Sequence, residues 1–272
     1  MKCFYHTDMD GHCSGAIVYK AMRDQGDEFI AMNYNIDFPF EKIEPNEKVV
    51  IVDFSLQKPG DFDKLLDITD NVIWIDHHKT AIEKHAHLDG TIKGIRRDGV
   101  AGCVLTWQYF FPDRAVPMVV SMIGDYDIWA FKFGENTNKL QAGIRLYDNR
   151  PESLEWDRWL TSYYPQKEID EGEIALKYRD NYYSGLIKSW SYFTTFEGYK
   201  AVVCNAGSVS SQLFDSVKED YDIMVATIFD GKRWSVSVYT KRSDIDLAKI
   251  TEKYGGGGHR QAAGFQCSVL PF

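Results

Sequence analysis

Three short apolar runs in this chain each end in side chains that bind metals, and few folds use such a pattern. Val72-Ile73-Trp74-Ile75 runs into Asp76-His77-His78. Lys2-Cys3-Phe4-Tyr5 runs into His6-Thr7-Asp8-Met9-Asp10-Gly11, and Val49-Val50-Ile51-Val52 runs into Asp53. A single aspartate after a strand is ordinarily a turn former or a helix cap. Three strand ends, with carboxylates in all and histidines in two, point to a metal centre. Parallel α/β sheets gather such residues at their strand carboxyl ends.

Helix and strand signals alternate through the first half, as expected for parallel βαβ units. Ala16 to Arg23 has helical spacing, Phe29 to Met32 is a short strand, and a helix should start near Pro59. Ala101 to Phe110 and Ala115 to Ile123 read as helices, the second running into Gly124-Asp125-Tyr126-Asp127. Glu152 to Leu160 is expected to be helical, and Glu168 to Ile187, free of proline, reads as one long connecting helix. Alternating patterns then predict strands at Tyr192 to Phe196, Ala201 to Cys204, Ile223 to Phe229 and Ser235 to Tyr239. Asp230-Gly231 signals a hairpin with a two-residue turn. A last helix from Asp246 to Tyr254 precedes Gly255-Gly256-Gly257-Gly258-His259. The expected class is α/β, with a catalytic domain over 1–150, a helical linker over 151–190 and a smaller α/β domain over 191–272.

Composition narrows the partners. The chain has 272 residues, a length comfortable for two domains, and 44% are apolar, enough for a sizeable core. No run approaches a membrane span, and no targeting segment is expected, since the first strand itself delivers candidate ligands. Five scattered cysteines without a CxxC pair disfavour a zinc cluster or disulfide framework and suit a reducing, cytoplasmic setting. The net charge of −9 disfavours a long duplex nucleic acid and leaves room for a short anionic substrate.

His6, Asp8 and Asp10 alternate, so an extended strand would point all three one way. With Asp53, His77 and Asp125 they make four carboxylates and two imidazoles. So much negative charge needs cations, because close like charges repel. Two divalent metals would resolve it, and mixed carboxylate–imidazole ligation suits manganese. Such a pair is a device for phosphoester hydrolysis. Adjacent histidines cannot easily face one metal, so His77 is assigned as ligand and His78 as the group that protonates the leaving oxygen. Asp127 competes with Asp125; Asp125 is preferred because it directly follows the predicted helix and Gly124.

Asp8-Met9-Asp10-Gly11, Asp53, Asp76-His77-His78 and Asp125 resemble the four motifs of the DHH phosphoesterase superfamily. Gly255-Gly256-Gly257-Gly258-His259, followed by Ala262-Ala263-Gly264-Phe265, resembles the signature of the associated DHHA1 domain. The motifs span most of the chain in the expected order, closest to the nanoRNase branch. The resemblance implies an N-terminal DHH domain with a parallel sheet flanked by helices, joined by a long helix to a smaller C-terminal DHHA1 domain. It implies two manganese ions: Asp8 and Asp10 on separate metals, Asp53 bridging, His77 and Asp125 completing the second site, and Asp76 orienting an imidazole. His6 lies two residues before Asp8, where some branches place it four before.

A glycine loop at a helix start can cradle an anion through exposed N–H groups. Gly256, Gly257, Gly258, His259 and Arg260 are therefore candidate substrate contacts, and Arg242 and Arg97, with Lys241 and Arg96, further phosphate candidates. A cleft between the two domains would limit substrate length. The expected activity is hydrolysis of short oligoribonucleotides or linear dinucleotides to mononucleotides, by a 3′-5′ exoribonuclease that binds no membrane. A homodimer is compatible with this. The alternatives are a phosphatase of 3′-phosphoadenosine 5′-phosphate, a cyclic dinucleotide phosphodiesterase and a non-catalytic nucleotide sensor.

Overall fold

The computed structural model describes residues 1–34 and 36–272. The chain divides into two units, Met1–Ala175 and Leu176–Phe272, and the division falls within one helix.

In the first unit β1 (Lys2–His6), β2 (Glu28–Met32), β3 (Val49–Val52) and β4 (Val72–Ile75) form a parallel sheet ordered β2-β1-β3-β4. Both faces are covered, which explains why β3 and β4 are unbroken apolar runs. Phe4, Ile51 and Trp74 pack on one side with Phe62 and Leu65 of α2 (Asp61–Ile68). Tyr5, Val52 and Ile75 pack on the other, with Val18 of α1 (Met9–Met22) and Leu105 of α4 (Gly102–Phe110). Beyond the expected strands, residues 93–97 continue the edge of β4 in parallel. The short α3 (Lys79–Lys84) follows Asp76-His77-His78. A separate helical core gathers α1, α4, α5 (Met118–Asp127), α6 (Glu135–Ile144) and α7 (Glu155–Trp159), with Ile17, Val120, Ile123, Leu140 and Trp159 buried.

Two helices depart from expectation in ways that matter for the site. α1 begins at Met9, seven residues before Ala16, because the Asp8 side chain accepts from the Gly11 N–H and caps it. α5 runs to Asp127 rather than stopping at Ile123. Neither Gly124 nor Asp125 breaks it.

The 25-residue helix α8 (Gln166–Trp190), about 37 Å long at 1.5 Å per residue, crosses the division. In the second unit β5 (Ser191–Phe196), β6 (Tyr199–Asn205), β7 (Ile223–Phe229), β8 (Trp234–Tyr239), β9 (Gly257–His259) and β10 (Ala262–Cys267) form a sheet ordered β5-β6-β7-β8-β10-β9. Only the β6–β7 pairing is parallel. The β7–β8 turn centres on Gly231-Lys232, one residue later than expected. Asp230 fixes it there by accepting from the N–H groups of Lys232 and Arg233, both at 2.7 Å. α9 (Leu247–Glu252) packs Leu247 and Ile250 against this sheet. All five cysteines are free, four of them buried. Among the described residues no helix is long and apolar enough to cross a membrane.

Candidate metal centre

Register alone brings three of the candidates together. Tyr5 pairs with Val52 and Val52 with Ile75, so the next row along the sheet is His6, Asp53 and Asp76. Asp53 is held there by its N–H, which donates to the Ile75 carbonyl at 2.9 Å, and its φ of 53° turns the chain sharply out of β3. A left-handed aspartate is strained, and strain of this kind concentrates at functional sites.

Asp8 and Asp10 come from the start of α1, not from an extended strand as the alternating spacing predicted. The strand ends at His6. Asp8 caps the helix, and Asp10 lies in its first turn. Helix geometry turns Asp10 inward to a fully buried position. Its oxygens accept from the N–H groups of Gly102 and Cys103, both at 2.7 Å, at the N-terminus of α4.

Asp76 is fully buried and shapes the turn after β4. Its Oδ1 accepts from the N–H groups of His77 and His78 and lies 2.7 Å from His78 Nδ1. That contact leaves Nε2 of His78 free. Burial disfavours the charged His78 ring, but the Asp76 hydrogen bond and charge outweigh it and raise its pKa. The adjacent ring of His77 faces elsewhere, with Nε2 at 3.1 Å from Asp53 Oδ1, 3.4 Å from Asp127 Oδ2 and 3.7 Å from Asp10 Oδ2.

Two donor sets result. His6, Asp8 and Asp53 form one, with His6 Nδ1 at 2.7 Å from Asp8 Oδ2 and 3.8 Å from Asp53 Oδ2. Asp10, His77 and Asp127 form the other. Asp53 turns one oxygen toward each. His78 also lies within ligating reach of Asp53 and His77.

Asp125, preferred from the sequence, lies outside the cluster in the structure. Asp125 and Asp127 are both helical, and residues two apart on a helix point about 200° from one another. Asp127 faces the cluster. Asp125 turns away and accepts from Thr137 Oγ1 at 2.6 Å, Lys132 N at 2.9 Å and Phe133 N at 3.3 Å. Burial opposes its ionisation, but these donors prevail and lower its pKa. It is a brace for the loop after α5.

The residues present fit a pair of divalent cations. Both oxygens of Asp53 are buried and have no hydrogen-bond partner among the described residues. Leaving them so costs a full desolvation penalty each. Burial, then the charges of Asp10, Asp8, Asp127 and Asp76, push the Asp53 pKa far above the usual range. Burial with Asp10 and Asp8 pushes Asp127 up to about 8. Asp8 goes the other way: burial opposes its charge, yet the hydrogen bond and charge of His6 and the Gly11 N–H hold it at about 2. Among the described residues the cationic groups within ion-pair reach of Asp53 are imidazoles alone. Cations bound between the donor sets would satisfy these oxygens and remove the repulsion.

Two neighbours of the cluster carried no signal that sequence reasoning used. Gly102 is one: a Cβ there would lie 2.8 Å from Asp53 Cβ and Oδ1 and 3.0 Å from Asp10 Oδ2, so the carboxylates come together only over a glycine. Tyr34 is the other. Its ring stacks on Phe54 and lies 5.2 Å from His6 and 6.0 Å from His78.

Most of the candidate substrate contacts are engaged within their own units. The glycine run follows the C-terminus of α9 instead of opening a helix, and Gly257, Gly258 and His259 form the exposed edge strand β9, paired with β10. Its N–H groups are therefore not a helix N-terminal cradle. His259 is exposed. Arg260 donates to the Ser243 carbonyl, and Arg242 is clamped between Asp222 and Asp244. Lys241 pairs with Asp215. Arg96 is engaged by Asp89 and by the carbonyls of Trp74 and Ile92, while Arg97 reaches Gln108.

Comparison with known proteins agrees with this architecture. The uncharacterized protein R106 of Acanthamoeba polyphaga mimivirus is 28% identical over 254 residues, covering 88% of this chain; the chain spans only 58% of that relative's length. Oligoribonuclease NrnB of Bacillus subtilis is 22% identical, over 98% of this chain and 72% of its own length. The pGpG-specific phosphodiesterase PggH of Vibrio cholerae shares the fold with a TM-score of 0.57 at 14% identity, over 98% of this chain and 93% of that one. Residues 3–126, which supply β1 to β4 and reach Asp125, match the DHH family, N-terminal domain. Residues 3–126 thus match that family's N-terminal domain, and the motifs and the parallel sheet of this segment agree with the match.

Proposed function

We propose that this chain is a metal-dependent phosphodiesterase that hydrolyses short oligoribonucleotides or linear dinucleotides to mononucleotides. The observation that carries the reading is Asp53, whose two buried oxygens lack a hydrogen-bond partner among the described residues and face two separate carboxylate–imidazole sets. His6, Asp8 and Asp53 would hold one divalent cation, and Asp10, His77, Asp127 and Asp53 the other. Manganese suits this mixture of oxygen and nitrogen donors. When bound, such a pair supplies an acidified water and positive charge against the phosphate oxygens.

The chain's own residues supply the rest. Gly102 and Cys103 N–H groups orient the Asp10 carboxylate. Asp76 fixes the His78 ring through Nδ1, so Nε2 is the atom that can deliver a proton. Water attacks phosphorus, the ester P–O bond breaks, and the leaving oxygen takes its proton from His78. The hydrogen bond of His78 to Asp76 and the charge of that carboxylate favour the protonated ring. Similarity to NrnB and PggH supports short linear substrates, as does the net charge of −9. Exposed His259 is the substrate contact we propose in the second unit.

A product time course with manganese on labelled RNAs from two to about twenty nucleotides tests this. Rapid conversion of only the shortest RNAs to mononucleotides is expected. Activity confined to 3′-phosphoadenosine 5′-phosphate would make the protein a phosphatase, and saturable binding without turnover would make it a sensor.

A further inference from the structure

The loop that follows Asp127 carries an aromatic group with no role in holding the site. Tyr126, Trp129 and Phe131 touch one another: the Tyr126 and Trp129 rings stack at 5.8 Å and 30°, and Phe131 meets Trp129 edge-on at 5.2 Å. Phe131 also lies 6.2 Å from Tyr126. Trp129 is nonetheless 70% exposed. Tyr126 backs one face of the indole, and the other is open.

Ordinary core packing does not explain this arrangement. Trp129 and Phe131 both have left-handed backbones, with φ of 54° and 48°. Bulky residues rarely adopt this conformation, and two so close together persist only when their surroundings impose it. Here the surroundings do. Asp125 accepts from Lys132 N, Phe133 N and Thr137 Oγ1, while Ala130 N donates to the Asp125 carbonyl and Gly134 N to the Phe131 carbonyl. The loop is tied down to hold a large apolar ring in water.

We infer that Trp129, backed by Tyr126 and Phe131, is a stacking platform for a nucleobase of the substrate whose phosphate lies at Asp127. The inference rests on the phosphodiesterase reading above. Trp129 lies two residues from Asp127, one of the cluster carboxylates, so their Cα atoms are at most about 7 Å apart, a separation comparable to one nucleotide. Stacking on an aromatic face tolerates any base, so the platform confers affinity for nucleotides without sequence preference. Asp125 acts here as a positioning residue.

The test compares wild type, W129A and W129F on a 5′-phosphorylated diadenylate and on its two singly abasic counterparts, with manganese. W129A should raise KM for the diadenylate about tenfold, with kcat within about twofold, and W129F should recover most of the loss. One of the abasic compounds should be handled alike by wild type and W129A. An unchanged KM in W129A, or an equal loss on both abasic compounds, overturns the platform. If wild type turns over none of the three, the phosphodiesterase reading has failed separately, and calorimetry with AMP decides the platform. Binding weakened in W129A upholds it, while equal or absent binding overturns it. Sedimentation completes the set: loss of self-association in W129A with KM intact would make the ring a protein contact instead.

Discussion

At the scale of single residues, two aspartates two positions apart do opposite work. Asp127 is held near repelling carboxylates that the neighbouring imidazoles do not offset, whereas Asp125 accepts three hydrogen bonds. Asp127→Ala should therefore lower manganese-dependent turnover by about a hundredfold or more while leaving the melting temperature of the metal-free protein unchanged or higher. Asp125→Ala should cost about 2 kcal/mol of stability, because it strands the buried Thr137 hydroxyl and two half-buried N–H groups, and should not abolish turnover. Denaturant unfolding beside steady-state rates separates them; equal activity losses with equal stability would return Asp125 to the cluster. Gly102→Ala makes a similar point from the other side. Its methyl would press on the Asp53 and Asp10 carboxylates, so we expect manganese affinity to fall about tenfold or more, with a stability cost of about 1–3 kcal/mol. Wild-type affinity in that variant would mean the carboxylates have more room than the structure gives them.

At the scale of elements, what the sequence revealed and what it hid have physical reasons. Strand ends were legible because an apolar run that stops at a charged residue marks both the strand and its edge, and β1, β3 and β4 each stop within one residue of a cluster side chain. The start of α1 was hidden because Asp8 can alternate with Asp10 on a strand or cap a helix, and only the Gly11 N–H decides between them. The end of α5 was hidden because Gly124 interrupts the pattern locally, while packing against Ala101 and Val104 keeps the helix going. That four-residue extension selected Asp127 over Asp125. The glycine run was read as a loop for its composition, yet part of it pairs as β9. Gly258, with φ of 143°, brings its backbone against Ala263, where a Cβ would sit 2.6 Å from the Ala263 Cα. Because the strand forms without His259's side chain, His259→Ala should keep the unit folded and act on substrate, raising KM several-fold with little change in kcat. A pure loss of kcat would make His259 part of the chemistry, and no change would leave β9 a structural edge.

At the scale of the whole molecule, cation binding and folding must be linked, because the metal-free fold gathers acids that would separate if it unfolded. Asp127 is pushed up to about 8 and Asp53 also rises, against an unfolded value of about 3.9. An acid whose folded pKa is raised holds its proton more tightly when folded. Its contribution is complete below the unfolded value and is lost as pH rises toward the folded one. The chelated protein should therefore lose stability steadily from about pH 5.5 to about pH 8, a window above the range in which the lowered acids Asp8 and Asp125 titrate. Manganese held at these sites would bind the deprotonated carboxylates, so its stabilisation should grow across the same interval and the two melting curves should diverge as pH rises. Calorimetric melts with chelator and with manganese, at fixed ionic strength, measure this directly. Parallel curves would mean that the acids of this cluster are not the metal's ligands, whatever the activity assays report. Divergence that disappears in Asp53→Ala would tie the coupling to the carboxylate between the two donor sets, because among the described residues Asp53 is the one that faces both.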